Sequence, residues 1–102
     1  MKEDDLIADI GKVCDRLGLW WVHFPVVYYG RRDIQGCHGF PDLLIMGRNG
    51  LLFRECKMPG NTLRPNQELW RNALLATGRD WAVWYPEDLR SGQIETELAA
   101  IA

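Results

Sequence analysis

Two acidic residues and a lysine stand at the ends of two apolar runs, at Asp42, Glu55 and Lys57. Two carboxylates brought together suit Mg²⁺, a hard cation that takes oxygen ligands and keeps several waters. Such an ion makes a bound water easier to deprotonate and stabilises negative charge on a phosphate oxygen. A lysine beside it can orient or deprotonate that water, or neutralise the charge that develops. The plainer alternative is an ion pair at the rim of a sheet, which contributes little to stability.

A predicted hairpin brings these three side chains onto one face. Asn49-Gly50 separates the two apolar runs and is a strong signal for a two-residue turn. Because strand residues alternate between faces, Glu55 and Lys57 point the same way. A turn at Asn49-Gly50 sets Asp42 opposite Lys57 and diagonal to Glu55, at roughly 7–8 Å between backbones. A longer turn would shift this register.

The first predicted helix, over residues 3–18, offers a third carboxylate. At about 100° per residue, Glu3 lies on the apolar stripe of this helix, one turn before the stripe begins. Glu3 can therefore point toward the sheet, although a first-turn acid favoured by the helix dipole is an equally good interpretation. Asp5 and Asp9 fall on the far side of the helix, and we expect them in solvent.

Hydrophobic periodicity places these residues in a mixed α/β domain with a central sheet and flanking helices. The predicted order is αβββαβα, with a loop over residues 27–39. The predicted elements cover residues 3–18, 19–26, 41–48, 51–58, 65–78, 81–85 and 87–101. At 102 residues, we expect one domain, 1–102, because domains typically hold about 100–200 residues.

Composition excludes several classes of protein. The hydrophobic and charged fractions, 47% and 25%, are those of a soluble globular chain. No apolar run approaches the roughly 20 residues of a membrane span, and the acidic N-terminus is not a secretory signal. Three cysteines without a C-x-x-C pair favour a reducing compartment, so we expect the cytoplasm. The formal net charge is −2, yet residues 31–71 hold seven basic and four acidic side chains, which is compatible with nucleic acid.

Three motifs together resemble one nuclease family. Gly39-Phe40-Pro41-Asp42, followed after twelve residues by Glu55-Cys56-Lys57, resembles the core of the PD-(D/E)xK nucleases. Residues 63–70 are similar to the L-x-P-x-Q-x-x-W segment of the virus-type replication-repair nuclease (VRR-NUC) domain, and residues 84–88 resemble its last strand and exit. An E-x-K alone is weak evidence, but the motifs are specific in this order and spacing. The match spans residues 3–98.

The resemblance implies a restriction-endonuclease-like fold and metal-dependent hydrolysis of phosphodiester bonds, with Mg²⁺ as cofactor and Mn²⁺ as its substitute. The implied catalytic residues are the first-helix acid, the two motif acids, the motif lysine and a helix glutamine, namely Glu3, Asp42, Glu55, Lys57 and Gln67. The implied metal ligands are Asp42, Glu55 and the backbone carbonyl of Cys56. Asp5 competes with Glu3 for the first-helix position. The Cys56 side chain points away from Glu55, and we expect it in the core.

DNA is the partner that the resemblance implies. Candidate DNA contacts lie in the loop before Asp42 and at the start of the helix that holds Gln67, at Arg31, Arg32, His38 and Arg64. A solvated loop is the alternative for the first two. Arg64 departs from the family, which often carries Ser or Thr there as a helix cap, and the loss of that cap costs roughly 1 kcal/mol.

A homodimer is the expected assembly, because stand-alone members of the family look like dimeric Holliday-junction resolvases, and two-fold assembly is the commonest. Paired cuts at four-way junctions are therefore the leading prediction, and they place a phage-encoded enzyme in the cytoplasm of a bacterial host. The alternatives are a monomeric flap or replication-fork nuclease and a DNA-binding module without activity. Trp20 and Trp21 are adjacent in a predicted strand and face opposite ways, so one of them fits a subunit interface.

Overall fold

The computed structural model describes residues 1–24 and 38–102. Its elements follow the predicted order except at the C-terminus, where two short helices replace the single predicted helix. The elements are α1 (Glu3–Arg16), β1 (Trp20–His23), β2 (Leu43–Gly47), β3 (Gly50–Cys56), α2 (Pro65–Ala76), β4 (Asp80–Trp84), α3 (Pro86–Arg90) and α4 (Gln93–Ile101). Most of the predicted loop over residues 27–39 lies outside the described residues. Within the described ranges, no helix has the length and apolar character needed to cross a membrane.

The four described strands form one mixed sheet in the order β1-β2-β3-β4. β2 is antiparallel to both β1 and β3, whereas β3 and β4 run parallel. A parallel pair needs a crossover connection, and α2 lies in the connection between β3 and β4. The predicted mixed α/β class with a central sheet flanked by helices is confirmed.

One face of the sheet packs against α1 and α4 to form the hydrophobic core. Alternate residues of β2 are buried, as the two-residue period of a strand requires. The buried apolar side chains are Leu6, Ile7, Ile10, Cys14, Leu19, Leu43, Ile45, Leu52, Cys56, Trp84, Ile94, Leu98 and Ile101. The opposite face carries α2, which buries none of its residues fully. By the alternation of β3, this second face is the face of Glu55 and Lys57.

A buried arginine ties α4 to the sheet. Arg54 is 2% exposed, and its guanidinium lies 2.7 Å from Glu97 Oε1 and 2.9 Å from Asp80 Oδ1. It also stacks 5.1 Å from the centre of the Trp84 ring. Burial raises the pKa of Glu97, but hydrogen bonds from Gln93 and Arg54 outweigh it and hold that pKa below its ordinary value. Arg54 therefore belongs to the core and adds no positive charge to the surface.

The hairpin turn differs from the prediction. Gly47 pairs with Gly50, so the turn residues are Arg48 and Asn49 rather than Asn49-Gly50. The reason lies at the other end of the chain, where the Asn49 N–H donates to the carbonyl of Ile101 at 2.9 Å. A Cβ at Gly47 would overlap that carbonyl, and a Cβ at Gly50 would lie 2.6 Å from the Ile101 side chain. The two glycines therefore make room for the end of α4.

This register brings the two motif acids closer than predicted. Extending the observed pairing of Leu43 with Arg54 by one residue aligns Asp42 with Glu55. The predicted pairing of Asp42 with Lys57, and its diagonal relation to Glu55, are therefore wrong. The three side chains still share a face, because the two registers differ by an even number of residues.

The last predicted helix, over 87–101, is interrupted at Ser91-Gly92. Gly92 has φ 87°, a left-handed conformation that a helix interior does not accept, and it caps the start of α4. Upstream, Asp88 Oδ2 accepts a hydrogen bond from the Tyr85 N–H at 2.8 Å, which starts α3 at Pro86. The break turns α4 so that Ile94, Leu98 and Ile101 enter the core.

Candidate metal centre

Three carboxylates from separate elements meet at one end of the sheet. Glu3 begins α1, Asp42 precedes β2, and Glu55 is the penultimate residue of β3. Their carboxylate oxygens all lie within 4.8 Å of one another. Asp42 and Glu55 are 9% and 2% exposed, and Glu3 is half-buried. Because burial disfavours each charge, such a cluster is poorly stable when fully ionised unless a cation balances it.

The backbone of β3 orients Asp42. The Cys56 N–H donates to Asp42 Oδ2 at 2.8 Å, and the Phe24 N–H donates to the Asp42 carbonyl at 2.8 Å. The carboxylate is thereby fixed while lone pairs remain on its oxygens for a cation. The Cys56 side chain is fully buried in the core, which confirms that prediction. Sequence reasoning missed the role of the Cys56 amide, because a backbone donor leaves no signature in residue type.

The structure separates the two candidates for the first-helix acid. Asp5 Oδ2 accepts a hydrogen bond from the Lys2 N–H at 2.8 Å, which caps the start of α1, and Asp5 is exposed. Glu3 instead lies with Asp42 and Glu55. The interpretation that points Glu3 toward the sheet therefore fits the structure, and Asp5 does not belong to the cluster.

Gln67 reaches the cluster from the opposite side. Its Nε2 donates to Glu55 Oε1 at 3.1 Å, and its Oε1 accepts from the Arg64 N–H at 2.8 Å. Gln67 is the third residue of α2, which Pro65 begins. The helix start therefore both uses Gln67 as a cap and aims it at Glu55, which brings the predicted glutamine to the predicted acid.

Crowding raises the pKa of two of these acids. Burial, followed by the charge of Asp42, raises the pKa of Glu55 to about 9. Burial and Asp42 also raise the pKa of Glu3 above its ordinary value. In the absence of a cation, the cluster therefore holds a proton at neutral pH, and a divalent cation would compete with that proton for the same oxygens.

Lys57 lies one residue beyond β3. Its N–H donates to the Trp84 carbonyl at 3.0 Å, which continues the pairing of β3 with β4 and fixes the backbone there. Its charge is close enough to lower the pKa of Glu3 and Glu55, against the larger effect of burial. The structure thus brings the predicted lysine beside the predicted acids.

Gly39, the first residue of the G-F-P-D motif, lies against the start of α2. Its φ is 82°, which favours glycine. A Cβ at this position would overlap the backbone of Asn66 and lie 2.7 Å from the Gln67 nitrogen. Gly39 therefore allows the segment that leads to Asp42 to touch the helix that carries Gln67.

Phe40, the second motif residue, lies in an aromatic cluster. Its ring contacts those of Phe24, Trp70 and Phe53 edge to face, with centroids 5.0, 4.9 and 6.1 Å away. The Trp70 Nε1–H donates to the His38 carbonyl at 2.9 Å. These contacts hold α2 against the second face of the sheet. The sequence motifs include Phe40 and Trp70, but their spacing did not predict that the two rings are in contact.

The predicted DNA contacts are only partly described. Arg31 and Arg32 lie outside the described residues. His38 has an exposed side chain next to Gly39. Arg64 is exposed at the start of α2 and makes no side-chain capping bond, so its guanidinium is available to a ligand near Gln67. Their contact with DNA stays a prediction.

Comparison with protein-family models, curated proteins and solved structures found no match. The resemblance to the VRR-NUC domain therefore stays a prediction from the motifs. The geometry stands independently of it, because the motif acids and the glutamine meet at one place in the fold and the charge of Lys57 acts on two of these acids. An all-oxygen donor set suits a hard divalent cation.

Proposed function

We propose that this chain is a metal-dependent nuclease that hydrolyses phosphodiester bonds in DNA on a restriction-endonuclease-like core. The observation that carries the proposal is the convergence of Glu3, Asp42 and Glu55 within 4.8 Å, beside Lys57. A purely structural role explains this arrangement poorly, because three crowded acids destabilise one another, whereas a cation site requires them.

The donor set fits Mg²⁺, with Mn²⁺ as a substitute. Asp42 and Glu55 would hold the ion together with the Cys56 carbonyl, and Glu3 would hold it or one of its waters. When bound, the ion supplies Lewis-acid stabilisation of negative charge and makes water more acidic. The buried Asp42–Cys56 hydrogen bond keeps one ligand in place before the ion arrives.

The remaining residues handle charge and orientation. Hydrolysis bonds a water oxygen to phosphorus and breaks a P–O bond to the sugar, with one proton leaving the water and one reaching the departing oxygen. Lys57 places an ammonium beside the acids, where it can orient the water and pair with a charged phosphate oxygen. Gln67 holds Glu55 Oε1 and so positions that ligand.

We propose that the substrate is a four-way DNA junction and that the active assembly is a homodimer. Paired cuts need two centres, and one small domain carries one such cluster among its described residues. Exposed Arg64 beside Gln67 supplies a contact suited to a phosphate near the centre. A monomeric flap nuclease and an inactive DNA-binding module are the outcomes against which this proposal is tested.

The test is cleavage of end-labelled four-way junction, 5′-flap and linear duplex DNA, each with Mg²⁺, Mn²⁺ or EDTA. We expect symmetric junction cuts that vanish with EDTA and fall about a hundredfold or more in Lys57→Ala. Lys12→Ala is the matched control, because Lys12 is exposed on α1 and pairs only with Asp9 among the described residues. Preference for the flap would replace the junction proposal, and DNA binding without cleavage would leave the inactive module.

A further inference from the structure

The first strand of the sheet presents an exposed apolar strip to solvent. Trp20, Val22 and Phe24 alternate along one face of the strand and are 79%, 47% and 37% exposed. Met46 of β2, which pairs with Trp20 of β1, is 46% exposed. We call these four residues the β1 strip. An exposed tryptophan among three further apolar side chains marks a contact surface rather than ordinary scatter.

Among the described residues, no strand pairs with the backbone of β1 on the side away from β2. In the part of the chain that the structure describes, β1 is the outermost strand of the sheet. The Phe24 N–H points inward, to the Asp42 carbonyl. Because strand residues alternate, the N–H and C=O groups of Trp21 and His23 point outward. Such an edge is a template for another strand.

A second copy of this chain fits the edge because the strip is complementary to itself. In an antiparallel pairing with a two-fold axis at Val22, Trp20 of each copy lies opposite the partner's Phe24, and Val22 lies opposite the partner's Val22. Trp21 then lies opposite the partner's His23, so that the outward backbone groups bond in pairs.

The composition of the strip favours a protein over a nucleic acid. Trp, Phe and Met are enriched in protein interfaces and charged residues are depleted at their centres, whereas DNA-binding faces are basic. The four side chains and the strand edge would bury on the order of 500 Å² per copy, below the roughly 800 Å² per partner of a standard stable interface and typical of a weak, transient one. We therefore expect a dimer whose population depends on protein concentration.

We infer that two copies of this chain pair through β1 to form a continuous eight-stranded sheet with both acidic clusters on one face. Asp42 aligns with Phe24, so each cluster lies about two residues along the strand from the axis, in opposite directions. With strand spacings of about 4.8 Å and a rise of about 3.4 Å per residue, the clusters lie roughly 20–30 Å apart. The inference that the two clusters make paired cuts at this spacing rests on the proposed nuclease function. The inference that two copies pair through β1 does not depend on that function.

The test is to measure the oligomeric state by sedimentation velocity across the micromolar range, without DNA or metal. Its result does not depend on whether the nuclease proposal is correct. We expect dimers that Val22→Lys dissociates, because it places a charge on the two-fold axis. His23→Pro should do the same by removing an outward N–H while keeping the pairing with β2. Leu75→Lys on α2 is the matched control, because Leu75 is 49% exposed, and it should remain dimeric.

A cysteine variant tests the register. Facing residues that are not hydrogen-bonded have Cα atoms about 4.5 Å apart, within the range of a disulfide. We therefore expect Val22→Cys to form a covalent dimer on mild oxidation and Leu75→Cys to stay monomeric on a non-reducing gel. A wild-type monomer at all concentrations, a dimer unaffected by Val22→Lys, or equal cross-linking of both cysteine variants would overturn the inference. A monomer whose DNA affinity falls in Trp20→Glu would assign the strip to nucleic acid instead.

Discussion

Gln67 donates a hydrogen bond from Nε2 to Oε1 of Glu55 at 3.1 Å, while its own Oε1 accepts from the Arg64 N–H. The same side chain therefore caps α2 and holds a buried acid. This contact connects the helix, which would otherwise only cover the sheet, to the candidate metal centre. It explains how a residue twelve positions after Glu55 can influence that acid directly.

Removing the Gln67 amide should weaken cation binding. In Gln67→Ala, Glu55 loses the donor that orients it, and loss of such an outer partner typically costs about 10–100-fold in metal affinity. Isothermal titration with Mn²⁺ measures the change. Glu68→Ala is the control, since Glu68 is exposed on the next position of α2. Equal Mn²⁺ affinity in wild type and Gln67→Ala would show that Glu55 needs no such partner.

Metal-free protein should lose stability as pH rises. A carboxyl whose folded pKa is raised binds its proton more tightly in the folded state. The contribution of Glu55 is therefore fully present below its ordinary pKa and is lost as pH rises toward about 9. In EDTA, Glu55→Gln should remove much of this pH dependence and be more stable than wild type at pH about 8, by about 1–3 kcal/mol. Urea unfolding at a series of pH values checks this, and identical slopes in both proteins would contradict it.

A methyl group at Gly39 should displace α2 from the site. Gly39→Ala combines a left-handed φ with overlap against the Asn66 backbone, whereas Gly18→Ala has a similar φ of 72° and open space around it. The conformational cost alone is about 1–2 kcal/mol. We expect the free energy of unfolding to fall by that amount in Gly18→Ala and by clearly more in Gly39→Ala. Equal losses would mean that the close approach of Gly39 to α2 is unimportant.

Breaking the buried ion pair should cost more than breaking a surface one. Arg54→Met leaves the part-buried Glu97 with only the hydrogen bonds from Gln93 and Trp84. Removing one member of a fully buried pair costs about 3–5 kcal/mol, and we expect a cost at the low end of that range because Glu97 is 23% exposed. Arg90→Ala is the control, because Arg90 and Glu87 are exposed and such pairs contribute about 0–1 kcal/mol. Denaturant unfolding measures both. A cost for Arg54→Met no larger than that for Arg90→Ala would contradict the role of Arg54 in holding α4.

The same pair predicts weakening in acid. The folded pKa of Glu97 is lowered, so its contribution is present above its ordinary pKa and lost as pH falls through the folded value. The difference in stability between wild type and Glu97→Gln should therefore shrink below pH about 4. Thermal melts in acidic buffers measure it. A difference that does not change with pH would indicate that packing, not charge, accounts for Glu97.

Local periodicity was enough to place Asp42, Glu55 and Lys57 on one face. The alternation of a strand is independent of which turn joins it to its neighbour, provided that the shift is even. The register itself could not be predicted, because it depends on Ile101 docking against Gly47, and these residues are far apart in the sequence.

Choices between neighbouring residues were also beyond the sequence. Glu3 and Asp5 are both acids in a first helical turn, and only the tertiary structure shows that Asp5 caps the helix while Glu3 joins the cluster. The break at Gly92 resembles a tolerated glycine within a helix until its φ of 87° is known. The hydrogen bond from the Cys56 N–H to Asp42 could not be predicted either, because it depends on the register between β2 and β3.

The most direct test of the central claim is the single-turnover cleavage rate of a four-way junction as Mn²⁺ is increased, in wild type and Asp42→Asn. Asparagine keeps the size of the side chain and an acceptor for the Cys56 N–H but removes the charge that a cation needs. We predict a wild-type rate that rises and saturates with Mn²⁺, and a loss of about a hundredfold or more in Asp42→Asn. Cleavage that is independent of Mn²⁺, or equal in the two proteins, would contradict the assignment of these acids as a catalytic metal centre.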